Sequence, residues 1–137
     1  MNQPFLLDTC AALWASADEI SDAAAEALSK ASKAGVNTFV SPITAWEIGV
    51  MARKGRFRSR LTPARWFERL MSTPGLELAE MPPDVLIASS FLPNFVIGDP
   101  ADRIIAATAR EFGYTVVTRD AALLDYGAQG YISVLAC

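Results

Sequence analysis

Apolar residues fall along the chain in short bursts that alternate between two periods. Phe5-Leu6-Leu7, Asn37-Thr38-Phe39-Val40, Leu76 to Ala79, Tyr114 to Thr118 and Tyr131 to Leu135 are brief runs of the kind that form strands. Tyr114 to Thr118 is a continuous β-branched run of the kind found in strands covered on both faces. Between these runs the period lengthens towards 3.6. Cys10 to Ala17 reads as a helix with Leu13 and Trp14 on its buried side. A second helix runs from a Ser21 cap through Ala34, with Ala24, Leu28 and Ala31 at helical spacing and Gly35 as its stop. Ser41-Pro42 opens a third, in which Ile43, Trp46, Val50 and Met51 recur as an apolar stripe and Glu47 falls in the second turn.

Thr62-Pro63 opens a helix running to Pro74-Gly75, and Pro82-Pro83 opens another ending near Leu92-Pro93. Asp99-Pro100 begins an amphipathic stretch through Ile104, Ile105, Thr108, Ala109 and Phe112, closed by Gly113. Four or five short strands separated by helices predict a three-layer α/β/α fold around a mainly parallel sheet. No linker or repeat divides residues 1–137, so one domain is expected.

Composition narrows the chemistry. Hydrophobic residues make up 52% of the 137 positions and charged ones 20%, which excludes a disordered chain. Two cysteines, Cys10 and Cys137, lack the pairing of a disulfide scaffold or a zinc site and read as reduced thiols. With no charged leader before an apolar run and no apolar stretch of about 20 residues, a soluble, cytoplasmic protein without a membrane span is expected. Histidine is absent, which removes Ser/His and Cys/His nucleophile pairs and histidine-bound zinc. Carboxylates and a hard cation remain.

Four acids occupy positions that this topology brings to one sheet edge. Asp8 and Asp120 close the first strand and the Val116-Val117-Thr118 strand, and ligand crevices in open α/β sheets lie outside such carboxyl ends. Glu47 and Asp102 come from the early turns of the helices that follow Ser41-Pro42 and Asp99-Pro100. Each has a structural alternative. Asp8 or Asp120 alone can cap the helix that follows, and Glu47 can be a solvated glutamate. Asp99 and Asp102 have capping-pair spacing, with Asp99 the better cap and Asp102 the better ligand. Clustered carboxylates raise one another's pKa unless a cation lies among them. Mg²⁺ or Mn²⁺ is the fitting ion, and phosphodiester hydrolysis the reaction class.

Charge is unevenly spread. Residues 53–69 hold seven cations against Glu68 alone, which leaves +6 there and, for a whole-chain charge of −3, −9 elsewhere. Arg53, Lys54, Arg56 and Arg58 are candidate contacts to an RNA phosphate backbone; a solvated loop is the alternative. Trp46, Trp66 and Phe67 read as core residues rather than base-stacking platforms.

At Leu6-Leu7-Asp8-Thr9, Ser41-Pro42-Ile43-Thr44-Ala45-Trp46-Glu47-Ile48, Asp99-Pro100-Ala101-Asp102-Arg103-Ile104-Ile105-Ala106-Ala107-Thr108-Ala109 and Val117-Thr118-Arg119-Asp120, the chain closely resembles the PIN-domain ribonucleases, specifically VapC toxins. The resemblance runs from end to end. It implies a PIN-like fold and a Mg²⁺- or Mn²⁺-dependent endoribonuclease, the toxin of a type II toxin–antitoxin pair, acting on structured RNA such as tRNA or ribosomal RNA. It further implies a homodimer held inactive by a VapB-type antitoxin. Asp8, Glu47, Asp102 and Asp120 match the family's acidic quartet, with Asp8 and Asp102 as the most direct metal ligands. Thr9, Asp99, Arg103 and Thr118 stand as supporting positions. One departure is Ile97, where many relatives carry a histidine.

Rival chemistries lack their residues. A haloacid-dehalogenase-like phosphatase needs a second aspartate where Cys10 stands, and a receiver domain needs a late lysine, of which there is none after Lys54. A non-catalytic PIN-like module that binds RNA or protein is the remaining alternative.

Overall fold

The computed structural model describes residues 3–94 and 98–137; Ile97 lies outside them. Five strands, β1 Phe5–Leu7, β2 Thr38–Val40, β3 Leu76–Leu78, β4 Thr115–Thr118 and β5 Ser133–Ala136, form one sheet. Their order is β3-β2-β1-β4-β5, and every pairing is parallel. The chain moves outward from β1 to β2 and β3, then crosses back to β4 on the other side. That reversal puts the topological switch point between β1 and β4, where Leu7 lies in register with Val117.

Among the described residues, seven helices connect these strands: α1 Thr9–Ser16, α2 Asp22–Lys33, α3 Pro42–Arg53, α4 Pro63–Met71, α5 Pro83–Ala88, α6 Pro100–Phe112 and α7 Ala121–Ala128. Neighbouring strand residues point to opposite faces, so Leu6 and Val116 enter one core while Leu7 and Val117 enter the other. The first core is completed by α5, α6 and α7 through Val85, Ile105, Ala106, Leu123 and Tyr126. The second is completed by Ala11, Ala12 and Leu70, with Leu28, Trp66 and Phe67 packed against it. This is the three-layer arrangement that the alternating pattern predicts, with five strands and no antiparallel member among the described residues.

Several local expectations are corrected. On α1 the buried side chains are Thr9, Ala11 and Ala12, while Leu13 and Trp14 are half-buried, because the helix lies close enough to the sheet that only small residues fit beneath it. On α3 the buried residues are Thr44 and Ile48, and Trp46 is 57% exposed rather than in the core. Helix α4 stops at Met71, short of Pro74-Gly75. Helix α5 ends at Ala88, where the Ser89 hydroxyl donates to the Leu86 carbonyl and competes with continuation of the helix. Helix α7 follows the Asp120 cap and packs on β5 at Gly127, where a β-carbon would overlap the Val134 methyl groups.

Among the described residues, no helix is long and apolar enough to cross a membrane.

Candidate active site

All four candidate acids stand on the carboxyl side of the sheet, and three Asp side chains here are also helix caps. Asp8 terminates β1 and caps α1, its Oδ1 accepting from the Ala11 amide at 2.7 Å. Asp120 terminates β4 and caps α7, its Oδ2 accepting from the Ala122 and Leu123 amides at 3.0 Å each. Asp99 caps α6 through the Ala101 amide at 2.9 Å, which leaves Asp102, three residues on, without a capping duty. Capping and site membership are therefore compatible for Asp8 and Asp120, since capping occupies one carboxylate oxygen of each.

Hydroxyl groups fix two of the acids. The Thr118 hydroxyl donates to Asp8 Oδ2 and accepts from the Asp120 amide at 3.0 Å, so one β4 side chain ties both strand-end acids together. Thr9 Oγ1 donates to Glu47 Oε1. Its single proton is thereby used, and the Thr44 hydroxyl, 3.1 Å away, must donate to it. Thr44, Thr9 and Glu47 form a directed chain between α3 and α1. Thr44 is fully buried and is absent from the sequence-derived candidates; its i, i+3 spacing to Glu47 on an otherwise apolar helix was the available signal.

Electrostatically, the acids act on one another. Asp8 is 4% exposed, and its carboxyl is pushed above the ordinary value by burial, with the charge of Asp120 adding and the Thr118 and Ala11 hydrogen bonds opposing. Glu47 is raised by burial against the pull of the Thr9 bond, with Asp99 and Asp8 adding. Asp102 is raised to about 7 by burial, then by repulsion from Asp99, Asp120, Glu47 and Asp8. The Cys10 thiol, on the first turn of α1, is pushed up to about 11 by burial and then by Asp8, Glu47, Asp102 and Asp120. A single thiol is thus opposed by the whole quartet.

The donor set suits a hard cation. It consists of carboxylates, whose mutual repulsion and burial penalty a divalent ion would relieve. Among the described residues no group of three or more Asp, Glu or Cys side chains is gathered closely enough to hold a metal ion. A cation here would take one or two of the carboxylates and keep several waters, as Mg²⁺ does.

The remaining candidates separate. Arg103, half-buried on α6, faces towards α7: the Tyr126 phenol is raised by burial, with the charges of Arg110 and Arg103 opposing. Arg53 and Lys54 are exposed at the carboxyl end of α3, where cations also favour the helix dipole. Arg56 and Arg58 line a cleft of about 540 Å³ with Trp14, Met51, Phe57 and Trp66. Phe57 packs edge-on to Trp66 at 5.9 Å, so the basic segment is anchored rather than a free loop. A separate groove of about 570 Å³ between α2, α4 and the β2–β3 edge contains none of the four acids.

Comparison with known proteins follows the same outline. The family model described as PIN domain matches residues 5–129. The chain is similar to ribonuclease VapC22 of Mycobacterium tuberculosis, 32% identical over 123 residues, which span 88% of this chain and 90% of that protein. Among solved structures it resembles VapBC2 of Rickettsia felis bound to a promoter DNA fragment, with a TM-score of 0.71, 17% identity, and 98% and 99% of the two chains covered. It also resembles FitAB bound to the IR36 DNA fragment, with a TM-score of 0.51, 18% identity, and 96% and 94% covered.

Proposed function

This chain belongs to the PIN-domain family, in its VapC branch, and we propose that it is a metal-dependent endoribonuclease, the toxin of a type II toxin–antitoxin pair acting in the cytoplasm. The observation that supports the reading is the placement of these acids at the carboxyl edge of the sheet, where Asp8, Glu47 and Asp102 are raised by burial and by their acidic neighbours. The similar M. tuberculosis protein is named a ribonuclease, and the fold neighbours were solved as VapBC and FitAB assemblies on DNA. Both support a VapB-type antitoxin as partner; a homodimer and a structured RNA substrate, tRNA or ribosomal RNA, complete the proposal.

In this mechanism Asp8 and Asp102 would hold Mg²⁺ or Mn²⁺, with Asp120 and Glu47 as the neighbouring carboxylates. Bound there, the ion would supply a Lewis acid that makes water a better nucleophile and offsets the phosphodiester's charge. The chain's own residues do the rest. Thr118 fixes the Asp8 carboxylate from the adjacent strand, leaving it no rotational search. The Thr44–Thr9 relay fixes one oxygen of Glu47 and turns the other free to accept the proton of the attacking water. Water oxygen bonds to phosphorus, the P–O bond to the leaving nucleotide breaks, the leaving oxygen takes a proton from solvent while Glu47 returns its own to solvent, and a strand with a terminal phosphate and one with a hydroxyl separate.

The test is incubation of total cellular RNA with antitoxin-free protein in Mg²⁺ or Mn²⁺, against EDTA and against Asp8→Asn and Asp102→Asn. Discrete fragments that need the metal and vanish in the folded variants are expected, and their ends give the target. RNA left intact by folded, metal-supplied wild type, or cut equally by the variants, would overturn the reading.

A further inference from the structure

The cleft lined by Arg56 and Arg58 shares two helices, α1 and α3, with the acidic site. On α1, Cys10 stands against the quartet, and Leu13 and Trp14, one turn later, line the cleft. On α3, Glu47 stands in the pocket, and Met51, one turn later, lines the cleft. Both helices start at the carboxyl edge of the sheet, and Met51 follows Glu47 by one helical turn, about 5.4 Å along the axis.

Its walls and rim suit a nucleotide. Trp14 is held in place by the Arg119 guanidinium, 3.5 Å from the ring centroid, and that guanidinium is itself fixed by donating to the Cys137 carbonyl at 2.9 Å. Phe57 and Trp66 supply two further aromatic surfaces at right angles. Arg56 and Arg58 outnumber the one acid on the lining, Glu19. Flat apolar walls with cations at the rim match a base and its phosphate, whereas the acidic pocket alone repels the backbone it must admit.

We propose that this cleft is a substrate subsite that takes one unpaired nucleotide of the RNA next to the cleaved phosphodiester, its base among Trp14, Phe57 and Trp66 and its phosphate on Arg56 and Arg58. The proposal rests on the nuclease reading above and deepens it. It also assigns the substrate a single-stranded character at that position, because a paired base cannot enter an aromatic cleft.

The test uses the Asp8→Asn protein, which binds without cutting, and a short mixed-sequence single-stranded RNA. Trp46→Phe is added, because of the three tryptophans only Trp14 and Trp66 line the cleft, and their fluorescence then reports on it. RNA should quench that fluorescence, and Arg56→Ala/Arg58→Ala should weaken binding about tenfold or more and abolish the quenching. Lys30→Ala/Lys33→Ala, which removes the same charge from the exposed end of α2, should change affinity far less. Unchanged affinity in the arginine variant, or binding without quenching, would overturn the subsite while leaving wild-type cleavage, measured in parallel, to uphold the nuclease. If wild type neither binds nor cuts RNA, the nuclease reading falls and the subsite with it.

Discussion

Asp102 is where the cost of assembling this site is concentrated. Its carboxyl, lifted from an ordinary 3.8 to about 7 by burial and its acidic neighbours, holds a proton in the fold that the unfolded chain has already released. Its contribution to stability is therefore full below pH 3.8 and is lost as pH rises through about 7. Because the group is partly solvated, screening leaves on the order of 1–2 kcal/mol, or a few degrees of melting temperature. In EDTA the wild type should melt lower at pH 8 than at pH 5. Asp102→Asn should recover the difference at pH 8 and change little at pH 5; identical melting of both proteins at both pH values would contradict the assignment. At Thr44, replacement by valine keeps the shape but removes the proton that Thr9 accepts. Cleavage should fall about tenfold through loss of Glu47 orientation, with melting changed by no more than a few degrees. Equal cleavage by Thr44→Val would detach the relay from the chemistry.

At the scale of elements, the helix starts were legible because their chemistry is local. Ser21, Ser41, Thr62 and Asp99 each cap the helix that the sequence assigns to them, three with proline just inside. Helix α3 was legible in place but not in orientation. Its apolar residues occupy more than half its circumference, so periodicity alone could not choose a buried face. Packing against α1, α4 and α6 decided it, burying Thr44 and Ile48 and leaving Trp46 outside. The same logic explains α1, where the closest approach to the sheet selects alanine over tryptophan. Close approach also governs α7: Gly127→Ala should cost about 1–3 kcal/mol in chemical denaturation, because Val134 on β5 cannot yield without disturbing the sheet. A variant as stable as wild type would show that α7 lifts off β5 freely. Removal of the α6 cap by Asp99→Ala should cost about 1 kcal/mol. It should also lower the Asp102 pKa, since Asp99 is the strongest of the charges acting on it.

The whole molecule shows why four scattered acids could be read together. Parallel strands joined by right-handed crossovers must deliver every strand's carboxyl end, and the start of every following helix, to one edge. Once the strands were recognised, Asp8 and Asp120 had to share that edge, and Glu47 and Asp102 had to approach it. What the sequence could not supply was the side-chain relay among Thr9, Thr44 and Glu47, or the fixing of Trp14 by Arg119, because both depend on distances set by packing. Part of the two-signed charge pattern also gains a physical sense: Asp8, Glu47, Asp102 and Asp120 stand in the pocket proposed at the sheet's carboxyl edge, while Arg56 and Arg58 line a separate aromatic cleft. The account stands or falls on whether that pocket binds a divalent cation through these carboxylates. Calorimetric titration of Mn²⁺ at pH 8 into wild type, Asp8→Asn and Asp102→Asn reads this directly. One saturable site in wild type, weakened tenfold or more in each folded variant and weaker at pH 6 where Asp102 is protonated, is the expected result; equal affinity in all three proteins would contradict it.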